Sequence, residues 1–138
     1  MGRIIAIDYG FKRVGLAVTD PLQIICSPLD TVHPKDLFEY LKTYFSKEVV
    51  DAIVVGYPTK LDNTATHTTS SVVGLVRQLK KLFPDKEVHT EDERFTTVMA
   101  HRVMLEGGAS RKQRADKENI DKISASIILQ SFLSYKKP

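Results

Sequence analysis

The sequence predicts an α/β protein: a mixed sheet with helices on both faces. Three observations carry that expectation. Two short apolar runs, Ile4–Ile7 and Val14–Val18, flank a turn that opens with Tyr9-Gly10, the arrangement of an antiparallel hairpin. The strand-like runs are continuous rather than alternating, as expected of strands covered on both faces. From residue 34 onward, helical and strand patterns alternate, which brings helices onto a sheet.

Each element has its own signal. Residues 23–32 (QIICSPLDTV) are apolar enough for a third strand, with Pro21 marking the turn before it. A helix is expected from about Pro34 to Lys47, with Leu37, Tyr40, Leu41, Tyr44 and Phe45 at helical spacing and proline near its start. Residues 51–56 (DAIVVG) read as a buried strand, followed by a polar loop over 57–70. The next helix is expected from Ser70 to Leu82, presenting Val72, Val73, Val76 and Leu79, then Phe83, with Pro84 beyond it. KEVHTEDER (86–94) supplies a short strand that runs into acidic residues. A helix over 96–105 is stopped by Gly107-Gly108, and a basic loop leads to a last helix over 120–133.

A chain of 138 residues suits one domain spanning 1–138, and 42% hydrophobic with 27% charged residues is ordinary for a globular protein. No apolar run approaches the ~20 residues of a membrane span, and the N-terminus lacks a signal-peptide pattern. The single cysteine, Cys26, excludes an internal disulfide and suits a reducing compartment, so a cytoplasmic location is expected. The four histidines show no metal-ligand spacing, and no Walker, HExxH or CxxC pattern is present, which argues against zinc. Residues 94–138 hold nine Lys and Arg against four Asp and Glu, whereas residues 1–93 hold 11 against 13. A basic C-terminal third suits a polyanionic partner.

The carboxylates are the chemically unusual feature. Asp8 ends the most apolar strand, where an unpaired charge would cost several kcal/mol or be forced to protonate. Glu91, Asp92 and Glu93 end the last strand. In open α/β sheets, ligands bind beyond the carboxyl ends of the parallel strands, so both groups would open on one edge. Asp121 shares a helical face with Ala125, Ile128 and Phe132, which directs it toward the sheet. Hard divalent cations such as Mg²⁺ or Mn²⁺ take carboxylate oxygens together with substrate phosphates, and can support phosphodiester hydrolysis. Within the triplet, alternation gives Glu91 and Glu93 one face and Asp92 the other, leaving Asp92 the rival of Glu93.

The segments IIAIDYGFKRVGLAVTD, IVVGYP, EDERFTT and DKISASIILQSFL resemble, in order and spacing, the YqgF/RuvX-like nucleases of the ribonuclease H-like superfamily. The resemblance covers essentially the whole chain. It implies a ribonuclease H-like, five-stranded mixed sheet with the second strand antiparallel, flanked by helices on both faces. It also implies a hydrolase, an endo- or exonuclease connected with maturation of pre-16S ribosomal RNA or with resolution of Holliday junctions. Carried over by motif, the catalytic and metal-binding set is Asp8, Glu93 and Asp121. Arg13 and Arg94 match the family's arginines. Lys12 and the basic-loop residues Arg111, Lys112 and Arg114 would add phosphate contacts. The chain departs from the family pattern at Asp62-Asn63, where Asp-Gly is usual, and at Ile123-Ser124, where small alanines are usual.

Blander readings attach to the same residues. Asp8 could cap its own turn, the acidic triplet could cap a following helix, and Asp121 could favour a helix dipole. Lys12, Arg13 and the basic loop could be solvated charge. Two other functions stay open: an actin-like ATPase hairpin, for which the chain has room for only one of the two domains needed, and a non-catalytic binding module that kept the fold. Precursor or structured RNA and branched DNA are both admissible partners. A four-way junction would favour a homodimer, and an RNA-processing enzyme could be a monomer.

Overall fold

The computed structural model describes residues 2–10, 12–57, 67–92 and 117–136. Five strands form one sheet: β1 (Arg3–Tyr9), β2 (Val14–Thr19), β3 (Cys26–Val32), β4 (Val50–Tyr57) and β5 (Glu87–Asp92). Their spatial order is β3-β2-β1-β4-β5. The β1–β2 and β2–β3 pairs are antiparallel, and β4 is parallel to both β1 and β5. The described helices are α1 (Leu37–Lys47), α2 (His67–Leu82) and α3 (Lys117–Lys136).

The apolar runs are continuous because both faces of the sheet are covered. On one face Ile5, Ile7, Leu16, Ile53 and Val55 pack with Leu37 and Leu41 of α1 and with Val72, Leu75 and Leu79 of α2. On the other, Ile4, Ala6, Ala17, Ala52 and Val54 pack against Ala125, Ile128, Leu129 and Phe132 of α3. Four alanines at that second interface leave room for the helix to lie close to the sheet. The helix is in turn buried around its circumference from Ser124 to Leu129. Each fully buried Ile or Leu contributes about 1.5–3 kcal/mol.

The third strand starts at Cys26, three residues later than the sequence suggests, and the cause is Asp20. Its carboxylate accepts from the backbone N–H groups of Leu22, Ile24 and Ile25 at 3.3, 2.7 and 2.8 Å. These bonds, led by that from Ile25, hold its pKa below the usual carboxylate value. The turn they close puts Gln23 at φ 60°, and the Gln23 side chain ties back to the Gly2 carbonyl at 2.7 Å. At the outer edge of β3, Pro28 and a bulge in the β2 pairing interrupt the free ladder.

Helix α1 keeps its expected span, entered through a single 3₁₀ turn at Pro34–Asp36 in which His33 Nδ1 accepts from the Lys35 N–H at 3.1 Å. Helix α2 starts at His67 rather than Ser70, and its buried face differs from expectation. Leu75 is buried, whereas Val73 is exposed. At 100° per residue Val73 stands a quarter-turn away from Val72, and the row Val72–Leu75–Leu79 wins the core side. Helix α3 runs longer than residues 120–133. The helix expected over 96–105 and the basic loop lie outside the described residues. Among the described residues, no helix is long and apolar enough to cross a membrane.

Candidate active site

Strand order decides where Asp8 stands. With β1 between β2 and β4, Asp8 pairs with Gly15 on the antiparallel side. On the parallel side Ile7 pairs with Val55, so the next step along both strands sets Asp8 beside Gly56. Gly56 in turn pairs with Glu91, and Gly15 with Thr31. One row across the sheet therefore reads Thr31, Gly15, Asp8, Gly56, Glu91. Alternation from Ile4 and Ala6 puts the row on the face covered by α3.

Both neighbours of Asp8 in this row are glycine, so no side chain crowds its carboxylate from either strand. Asp8 itself is half-buried, at the carboxyl edge where β1, β4 and β5 end together. Glu91 is different: only 7% exposed, with Ser131 of α3 donating a long hydrogen bond of 3.5 Å to its Oε1. Two residues earlier on the same face, the His89 ring lies 5.0 Å from the Phe132 ring. Sequence alternation identified the face of Glu91 but gave no sign that α3 would bury it. Asp92 closes β5, paired with Tyr57.

The hairpin between β1 and β2 holds the cations near this edge. Gly10 is required there, because a Cβ would stand 2.8 Å from the backbone oxygen of Arg13. That tight turn brings Arg13, half-buried, and Lys12, exposed, next to the Tyr9–Val14 pair that closes the ladder. Asp121 lies in the second turn of α3, one turn before the buried Ala125. Glu93, Arg94, Arg111, Lys112 and Arg114 fall outside the described residues.

A divalent cation fits what is described of this edge. The row offers carboxylate oxygens and no thiol or imidazole, the donor chemistry that suits a hard divalent cation. Among the described residues, no three acidic, His or Cys groups close on one point, so further ligands would come from residues beyond them. A cleft of about 580 Å³ lined by Phe45, Val49, Asp51 and Lys86 sits at the opposite edge, away from this row.

The RuvX family, described as Holliday junction resolvase, matches residues 2–135 of this sequence. The chain belongs to the RuvX family. A relative from Amoebophilus asiaticus, named "Putative pre-16S rRNA nuclease", is 53% identical over 138 residues, covering 99% of this chain and 98% of its own. A relative of the same name from Phocaeicola vulgatus is 49% identical over 137 residues, covering 99% of each. Among solved structures, T. thermophilus RuvC in complex with Holliday junction substrate superposes with a TM-score of 0.56 at 16% identity, over 98% of this chain and 96% of that one. That likeness concerns the fold: this RuvX chain has the ribonuclease H-like α/β sheet that its sequence implied.

Proposed function

We propose that this RuvX-family chain is a divalent-metal-dependent nuclease that hydrolyses phosphodiester bonds, acting in maturation of pre-16S ribosomal RNA. The observation that carries the reading is Asp8 standing between Gly15 and Gly56 at the carboxyl edge of the parallel strands. The names of the relatives supply the substrate class.

Asp8 would hold Mg²⁺ or Mn²⁺ together with Glu93 and Asp121, with Asp92 the rival of Glu93. When bound, such a cation activates water and offsets charge on the phosphate and leaving oxygens. Arg13 and Lys12, fixed by the Gly10 turn, hold the phosphate. Arg94, Arg111, Lys112 and Arg114 extend the phosphate contacts along the substrate. The scissile group would reach the Asp8 carboxylate from the carboxyl edge of the sheet, with water attacking phosphorus opposite the departing oxygen.

A second reading, resolution of four-way DNA, has the family description in its favour. It requires two active sites related by the two-fold symmetry of the junction, and so a homodimer, whereas the RNA reading is satisfied by a monomer. Wild type and Asp8→Asn are assayed side by side on labelled precursor 16S RNA and on a four-way DNA junction, with Mn²⁺ or EDTA. Cutting of the RNA that needs metal and Asp8 is expected. Cutting of the junction alone selects the second reading, and wild-type cleavage by Asp8→Asn sinks both.

A further inference from the structure

Helix α2 carries a charge pattern that the site above does not use. From His67 to Leu82 it contains no carboxylate, while Arg77, Lys80 and Lys81 are all exposed. With 3.6 residues per turn, Val73, Arg77, Lys80 and Lys81 fall within an arc of about 100° on one flank. The other exposed flank, Gly74, Gln78 and Leu82, carries no charge. By contrast α1 mixes Glu39 with Lys42 and Lys47. Lys80 and Lys81 complement the helix dipole in the last turn, but Arg77 lies before it.

The cationic flank borders a groove. A cavity of about 250 Å³ is lined by Val72, Val73, Val76, Arg77 and Thr90, and its walls are almost wholly apolar. Thr90 immediately precedes Glu91 on β5, the strand at the end of the sheet. The groove is on the face opposite Asp8. A chain leaving the acidic row reaches it by passing over the carboxyl edge, about 10 Å and two strands from β1. From Val73 to Lys81 the flank then extends about 12 Å, room for more than one phosphate.

We propose that this α2 flank binds the phosphate backbone of the nucleic acid on one side of the cleaved bond, an assignment that rests on reading the Asp8 edge as a phosphodiesterase site. The occupant is a polyanion: three unopposed cations on one helix flank suit a row of phosphates, and the apolar groove accommodates sugar or base edges.

The test measures binding of a fluorescein-labelled single-stranded RNA by anisotropy, in EDTA, across a KCl series. The variant Arg77→Ala/Lys80→Ala/Lys81→Ala is compared with Lys35→Ala/Lys42→Ala/Lys47→Ala, which removes equal charge from α1 and its entry turn. The α2 variant should lower the slope of log affinity against log salt by about 2, and weaken binding at least ~10-fold near 0.1 M salt. In cleavage assays it should raise KM with kcat unchanged. Arg77→Gln alone, which leaves the helix intact, should lower the slope by about 0.7. A wild-type slope in the α2 variant, or an equal loss in the α1 control, overturns the proposal, as does failure of the wild type to bind. If Asp8→Asn cleaves normally while the α2 variant loses binding, the active-site reading fails and the binding surface stands.

Discussion

Asp8 and Glu91 occupy one row across the sheet with only Gly56 between them, yet they sit in different surroundings. Asp8 is half-buried at the open edge, whereas Glu91 is buried beneath α3 and reached by Ser131. Gly56, which separates them, is buried and contributes backbone alone to the row.

A side chain at Gly56 should cost activity more than stability. Gly56→Val places a branched side chain next to Asp8 on a buried strand, where overpacking costs about 1–3 kcal/mol. Displacing the reacting groups by about 1 Å should lower kcat/KM roughly 100-fold. Parallel urea melts and cleavage assays check this; a folded Gly56→Val with wild-type kcat/KM would show that the reaction does not depend on the bare backbone at Gly56.

Cation binding should be visible without catalysis. Mn²⁺ at about 100 times its dissociation constant should stabilise the wild type by ~2.7 kcal/mol. Asp8→Asn should lose most of that gain, and EDTA should reverse it. Thermal melts with and without Mn²⁺ measure both, and an equal shift in the two proteins would place the ion elsewhere.

The Asp20 turn should weaken in acid. Its carboxylate is held below the ordinary 3.8 chiefly by the Ile25 and Ile24 N–H bonds. Its contribution is therefore complete above the unfolded-state value and is lost as pH falls through the lower folded one. The difference in urea midpoint between wild type and Asp20→Ala should be largest near neutrality and shrink as pH falls below the ordinary 3.8.

Tyr40 gives the opposite limit. Burial, then the charge of Asp30 and a hydrogen bond to it, push its phenol up to about 12. The folded state retains the proton longer than the unfolded one, so this contribution is present below the unfolded value of 10.0 and disappears as pH rises through about 12. Ultraviolet titration of wild type against Asp30→Asn should show that phenol ionising earlier in the variant.

Helix α2 should be improvable at Gly74, which is exposed in mid-helix and where a Cβ would meet nothing within 4 Å. Gly74→Ala should stabilise by about 0.5–1 kcal/mol through helix propensity and leave cleavage unchanged. Chemical denaturation and a cleavage assay on one preparation decide it.

Much of this fold could be read from local chemistry. Ile4–Ile7 announced a strand covered on both faces, Pro34 announced the entry to α1, and an aspartate directly after that apolar run marked the carboxyl end of β1. Apolar periodicity failed where a side-chain turn or the docking of a helix overrode it. Asp20 captured three N–H groups and delayed β3, and the choice between Val73 and Leu75 rested on how α2 rolled against β4 and β5. The sequence by itself determined the strands, the carboxylates at their ends and the family. Only the tertiary structure decided that Gly15 and Gly56 flank Asp8, that α3 buries Glu91, and that Arg77 of α2 lines a groove with three valines. Those relationships depend on strand order and register between residues tens of positions apart, set by the packing of the whole sheet rather than by any local run of residues.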